Sequence, residues 1–384
     1  MKALHVITGL GVGGAGGGGG APPLRGRPRH LPVPCDVVTL TNPGPVAHGL
    51  AADGVRVVHL GMAGNRDLAA LPRLVRLIRR GRYDLVHTHL YRACLYGRIA
   101  ARLAGVRAVV ATEHSLGDSQ LEGRELTTGV RALYLAGERL GRSTVAVTPT
   151  VAERLRRWGV PGPRIEVVPN GIDLERFRFD PAVRQRTRAR LGLPEDAYVV
   201  GGVGRLAPGK RFDVAVRALA RLPRDHWLLL VGAGPEERAL RRVAEATGVA
   251  GRVLFAGERP YVSGSPEDPD LPALTAAMDV LVSPSAEEAF GLAVVEALAA
   301  GLPVLYSSCP AVEDLPPAAA PRARRVRGGA GAYAEALAAT RAAGRGPRTA
   351  PEAARHYCIT RSAAQLMDVY AAALATTPQG VSTP

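Results

Sequence analysis

Short β-branched runs separated by amphipathic stretches fill most of this chain, and that alternation commits it to βαβ units, with helices covering a parallel sheet. In the first half the runs fall at Leu4 to Thr8, Asp36 to Leu40, Val55 to His59, Leu85 to His87, Ala108 to Thr112, Thr144 to Val147 and Ile165 to Val168. After Phe177 the pattern lapses through an Arg-rich stretch with Pro181 and Pro194, which reads as a linker and a short helix. A second series follows at Val199 to Val203, Trp227 to Val231, Val253 to Phe255, Val280 to Val282 and Val304 to Tyr306. Pro316 to Gly331 is a Pro/Ala/Arg stretch without a readable period. The 384 residues are about twice a usual domain length, so the expectation is α/β class with two Rossmann-like, doubly wound domains. Their predicted extents are 1–177 and 178–355. Residues 356–384 then hold a tail and a helix, Ile359 to Leu374, that returns to the first domain. Two such sheets facing through the carboxyl ends of their strands would leave a cleft between them, where ligands of open α/β sheets bind.

Composition closes off several alternatives. With 47% hydrophobic and 22% charged residues, and apolar runs well short of about 18 residues, the chain reads as globular rather than disordered or membrane-spanning. The start, MKALHVITGL, passes from one lysine into a strand pattern without the apolar stretch of a secretory signal, so a cytoplasmic location is expected. Cys35, Cys94, Cys309 and Cys358 lie far apart with no His at ligand spacing, and read as small apolar side chains rather than a disulfide framework or zinc site. A net charge of +15 would suit nucleic acid, but the charge is spread along the chain. All but two of the 49 basic residues are arginine, and only 4% of residues are aromatic, leaving few stacking platforms. No nucleic-acid partner is expected. The helix predicted over Leu68 to Arg80 sets Leu71, Leu74, Val75 and Ile78 on one face and Arg73, Arg76, Arg79 and Arg80 mostly elsewhere. Its basic face is open to two readings, a peripheral membrane contact and, more simply, a solvated surface.

Two segments carry chemistry. In Ser283 to Val304 a strand ends at Ser283 and a helix is expected from about Phe290, so the amides of Phe290, Gly291 and Leu292 would form a first turn able to bind phosphate. Glu288 precedes that turn and suits sugar hydroxyls; Glu296, about two turns on, suits a ribose lying along the helix. A surface helix with one solvated and one N-terminal glutamate fits the spacing as well. In Gly201 to Asp213 a strand runs into a Gly/Pro loop that opens a helix and carries Arg205 and Lys210, a guanidinium and an ammonium that together suit a diphosphate. It is not a Walker loop, because Arg211 stands where Ser or Thr should follow Lys210. Near the start, Gly9 to Gly14 satisfies GxGxxG and raises an NAD-dependent oxidoreductase, but the acid that should end the second strand is missing. His87 and His89 are read as pointing to opposite faces of a strand end, one structural and one lining the cleft.

Taken in order, GLGVGG, EHS at Glu113 to Ser115, VPNGID, GRLAPGK, VGAGPE and EEAFGLAVVEALAAGLPV resemble the retaining GT-B-fold glycosyltransferases with a Glu-x7-Glu motif, of the family 4 or group 1 type. The resemblance implies Arg205 and Lys210 on the donor diphosphate, Glu288 on the donor sugar, Glu296 on the ribose and His114 beside the transferring sugar. Gly13 and Gly14 would let backbone approach the donor or acceptor. It further implies a nucleoside-diphosphate sugar as donor substrate, no separate cofactor, no metal, and retention by a front-face route in which the leaving phosphate takes the acceptor's proton. The acceptor, whether a small molecule, a glycan or a lipid-linked group, is not identified. A nucleotide-sugar-binding protein without turnover is the alternative. Three departures stand out. Ala289 replaces the usual Gly, and Cys309-Pro310-Ala311 stands where a Gly pair is usual. Residues 15–30 are a Gly/Pro run that cannot sustain the expected first helix, which suggests a local reading-frame slip.

Overall fold

The computed structural model describes residues 1–10, 30–64, 67–117, 120–121, 124–262 and 268–375. They form two compact units, one from the described residues of Met1–Gly171 and Ile359–Pro384, the other from Ile172–Cys358.

The first unit is built on strands β1 (Ala3–Ile7), β2 (Cys35–Thr39), β3 (Arg56–His59), β4 (Leu85–His89), β5 (Ala108–Glu113), β8 (Ser143–Ala146) and β9 (Ile165–Val167), with a small antiparallel hairpin of β6 (Gln120–Leu121) and β7 (Arg124–Glu125). The main sheet runs β3-β2-β1-β4-β5-β8-β9, and every pairing in it is parallel. The order reverses between β1 and β4, the switch point of a doubly wound sheet. Side chains alternate across it. Leu4, Val6, Val86 and Val109 pack beneath the helices Ala70–Gly81 and Tyr91–Leu103, where Leu74, Ile78, Ala93 and Ala100 meet them. Ala3, Leu85, Ala108 and Val110 face the other way, against Leu366, Val369 and Tyr370 of the helix Ile359–Ala375. The C-terminal helix therefore covers the first sheet. Of the basic face on Ala70–Gly81, Arg73 donates to the Leu60 carbonyl and to Asp67, and Arg79 to the Leu103 carbonyl.

The second unit holds β10 (Tyr198–Val203), β11 (His226–Val231), β12 (Val253–Gly257), β13 (Val280–Ser283), β14 (Val304–Tyr306) and β15 (Ala323–Arg325), ordered β12-β11-β10-β13-β14-β15 and parallel throughout. The short helix expected in the stretch after Phe177 is present. Asp180 caps a helix at Pro181–Arg190, and Arg184 from it donates to the carbonyls of Ala276, Ala277 and Met278 and pairs with buried Asp279. The stretch that carried no sequence period yields β15, an exposed edge strand reading Ala-Arg-Arg, followed by the helix Ala330–Ala342, whose Tyr333 and Leu337 join the core.

Candidate functional site

At the carboxyl end of the second sheet two loops approach backbone to backbone. The Gly204 amide donates to Val231 O at 2.9 Å, the Leu206 amide to Ala233 O at 3.0 Å, and the Glu236 amide to Leu206 O at 2.9 Å. Only glycine permits this. A Cβ on Gly232 would sit 2.0 Å from Gly204 O, and one on Gly234 would sit 2.2 Å from Leu206 O. The Arg205 side chain, half-buried, leaves from this junction. A 3-10 turn at Pro208–Lys210 follows, and Arg211 behind it adopts left-handed backbone, φ 51 and ψ 40, before the helix Phe212–Leu219 begins. A non-glycine residue held there is a strained position of the kind found at binding sites.

The strand β13 delivers the partner loop. The Ala286 amide donates to Gly209 O at 3.0 Å, and Lys210 Nζ forms an ion pair with Glu288 Oε1. The helix expected from Phe290 begins two residues later, at Leu292, with Gly291 as its left-handed cap at φ 96. Thus the amides of Phe290 and Gly291 precede the helix, and Leu292 alone of the three lies in its first turn. The cause is the turn after β14. The Ala311 amide donates to Phe290 O at 3.0 Å, Cys309 Sγ lies 3.4 Å from the same oxygen, and a Cβ on Gly291 would fall 2.4 Å from that sulfur. Burial pushes the Cys309 thiol pKa up, so it packs as an apolar group. Ala289 has an ordinary negative φ, so the substitution for glycine leaves this turn intact. Glu296 is 4% exposed, in a run from Val294 to Ala299 that is buried on every side of the helix, which overturns the reading of a solvated surface glutamate. It lies about 6 Å along the axis from Leu292. The second unit thus gathers Lys210 with Glu288 ahead of the Leu292–Ala299 helix and sets Glu296 within that helix.

His114, 5% exposed, follows β5 in the first unit. Gly13 and Gly14 lie outside the described residues, as do residues 15–29 with the departure in the Gly/Pro run. His87 and His89 do not point to opposite faces. Residues two apart on a strand share a face, and their ring centroids are 4.0 Å apart. His5 from β1 joins them, with one ring nitrogen from each of the three lying within 4.8 Å of the others, a grouping compact enough to hold a metal ion. Sequence reasoning missed this set. The signal was present in the period of two, which puts His87 and His89 on one side of β4 and allows His5, on the neighbouring strand, to meet them.

Residues 29–176 match the family described as Glycosyltransferase Family 4, and residues 183–316 the family described as Glycosyl transferases group 1. The chain is 34% identical over 249 residues to the 2-deoxystreptamine glucosyltransferase of Streptomyces kanamyceticus, covering 62% of each. It is 37% identical over 254 residues to a D-inositol 3-phosphate glycosyltransferase of Salinispora arenicola, covering 59% of this chain and 54% of that enzyme. The chain thus spans from just under half to about two thirds of the length of the curated relatives it matches. In fold it matches HepE of Anabaena, solved in complex with UDP-glucose, at a TM-score of 0.79 and 21% identity over 97% of this chain and 100% of that one. No helix among the described residues is long and apolar enough to cross a membrane. With the two family matches falling in chain order on two parallel doubly wound sheets, the chain belongs to the family 4, group 1 type of GT-B-fold glycosyltransferases.

Proposed function

We propose that this chain moves a sugar from a nucleoside-diphosphate donor to an acceptor hydroxyl, with retention of configuration and without a metal. The observation that carries the reading is the convergence of Lys210 and Glu288 beside the Leu292–Ala299 helix, where one cationic and one anionic group share a small volume. Without a donor they neutralise each other. A donor would bring its diphosphate to the ammonium and its sugar hydroxyls to the carboxylate, exchanging one ion pair for a matched set of charge-assisted hydrogen bonds. As the bond to the diphosphate breaks, charge grows on the leaving oxygens. On this reading Lys210, Arg205 and the N-terminal end of the helix stabilise that charge, the part a metal plays in other transferases. Glu296, buried deeper in the helix, takes the ribose, and Gly13 and Gly14 let backbone come close to a ligand. His114 orients the transferring sugar rather than serving as an essential base, and the leaving phosphate accepts the acceptor's proton.

Relatives named for 2-deoxystreptamine and inositol phosphate make a small polyhydroxylated ring the first acceptor class to try, and UDP-glucose the first donor. The test is a thermal-shift screen of nucleotide sugars, since a donor at about 100 times its Kd adds roughly 2.7 kcal/mol of stability. It is followed by assay of nucleoside diphosphate release with and without acceptor, in EDTA, and by NMR assignment of the product anomer. Binding without acceptor-dependent release would leave a nucleotide-sugar-binding protein, an inverted product would overturn retention, and loss of release in EDTA would overturn metal independence.

A further inference from the structure

A line of buried imidazoles ends on His114. His5 Nδ1 lies 2.9 Å from His89 Nε2, and His89 Nδ1 lies 3.1 Å from His114 Nε2. Behind His5, the Tyr370 hydroxyl stands 3.5 Å from Nε2 and 2.7 Å from His87 Nδ1, and His87 Nε2 meets Thr112 Oγ1 at 2.6 Å. Six side chains from β1, β4, β5, the turn after β5 and the C-terminal helix form one chain of contacts, and all six are buried. The turn that follows His89 is held firmly. Leu90 adopts φ 74 and ψ 152, a conformation that side chains rarely take, while its own side chain packs with Ile7 and Leu10.

Each imidazole contact holds one proton, so a neutral chain has two orderings. Either His5 Nδ1–H donates to His89 and His89 Nδ1–H donates to His114, or every donor and acceptor is exchanged. In the first ordering His114 accepts at Nε2 and carries its proton on Nδ1. In the second it donates from Nε2 and Nδ1 is basic. Passing between them moves one proton across each contact and one on or off each end, and leaves every ring neutral, which suits an interior where a bare imidazolium would be poorly solvated. We propose that His89 is a positioning residue that holds the ring of His114 and couples its tautomer to that of His5, so that the His5–His89 contact lets His114 present Nδ1 as donor or as acceptor without a change of charge. This rests on the reading of His114 as the group beside the transferring sugar. The His5, His87 and His89 rings could instead converge on a cation, but that would require the proton shared between His5 Nδ1 and His89 Nε2 to be given up.

Two substitutions divide the chain. His89→Asn keeps an amide near the Nδ1 position and so the contact to His114, while giving up the one to His5; His89→Gln reaches the Nε2 position and does the reverse. The expected result is that His89→Gln lowers kcat on the order of 10- to 100-fold with donor KM little changed, short of the full contribution of a general acid–base group, and that His89→Asn, which keeps the His114 contact and loses only the one to His5, lowers kcat by clearly less. In ¹⁵N-histidine NMR, the unaltered protein should show one donor nitrogen and one acceptor nitrogen at the His89–His114 contact, and His89→Gln should move the His114 nitrogens toward tautomer averaging. Equal kcat in the two variants, unmoved His114 shifts in His89→Gln, or a stoichiometric metal in the purified protein would overturn the proposal. If the unaltered protein transfers no sugar, the functional reading falls, while the nitrogen shifts still decide whether the His114 tautomer is coupled through His89. The shifts of the unaltered protein decide it even if neither variant folds.

Discussion

Lys210 and Glu288 are each other's counter-ions although 78 residues separate them, and their pairing ties the loop after β10 to the loop after β13. Either group left alone would be a half-buried charge without its partner. Lys210→Ala should therefore cut transfer by about 10²–10³ through lost stabilisation of the leaving group, and Glu288→Gln by a similar factor through lost charge-assisted contacts to the donor sugar, each with the fold retained by circular dichroism. The double variant should cost less than the product of the two, because the second substitution removes a charge whose partner is already gone. Steady-state kinetics on the three variants check this, and near-native rates in either single variant would end the site assignment.

The glycines of the second-unit loops separate into those the fold requires and those it does not. Gly232→Ala must fit a Cβ 2.0 Å from Gly204 O at φ 139, and should destabilise the protein by roughly 2–4 kcal/mol. Gly209→Ala, one residue from Lys210, meets nothing within 4 Å and carries no positive φ, so its melting temperature should stay near the parent's. Chemical denaturation of both distinguishes packing at this junction from a general intolerance near the site.

Beside Glu288 the two small residues behave in opposite ways. Ala289→Gly returns the residue more usual in the family to a position of ordinary backbone, and should leave donor affinity unchanged while lowering stability by at most about 1 kcal/mol. Gly291→Ala collides with Cys309 Sγ and holds φ 96, so it should shift the start of the Leu292–Ala299 helix and weaken donor binding. Calorimetric titration of a nucleotide sugar into the two variants reads the difference directly.

Much of this was legible in the residues, and the gaps have physical causes. Long apolar strands such as Val199 to Val203 and Trp227 to Val231 announced themselves, because strands of a sheet covered on both faces must be continuously apolar. The strand Ala323–Arg325 did not, since an edge strand three residues long with two exposed arginines has no apolar pattern to read. The spacing of Glu288 and Glu296 puts both on one segment, but the helix that holds Glu296 starts only at Leu292, where Cys309 packs on Gly291, a contact between residues 18 apart that no local signal encodes. The histidines show a different kind of miss: β4 was read correctly as a strand, and its period of two was then applied with the wrong sign. Tyr370, which joins that cluster from 283 residues beyond His87, could come only from the fold.

At the other end of the second sheet, Asp225 gives a pH-dependent test of the fold that is independent of the site. Arg341 donates to its carboxylate and His226 Nδ1 lies 2.9 Å from its other oxygen, and the hydrogen bond from Arg341, ahead of that from His226, pushes the carboxyl pKa down to about 2. Burial pushes the His226 pKa down as well, so near neutral pH the charged partner is Arg341. A carboxylate with a lowered folded-state pKa adds stability that is present above its ordinary pKa near 4 and is lost as the pH falls from about 4 through about 2. Because the pair is about a third exposed on each side, screening limits the contribution to under about 1 kcal/mol. Asp225→Asn should therefore lower the melting temperature by roughly 1–4 °C at pH 7 and by nothing measurable near pH 2. A difference that persists unchanged into acid would mean that the side chain acts by packing, and that the ion pair with Arg341 contributes nothing.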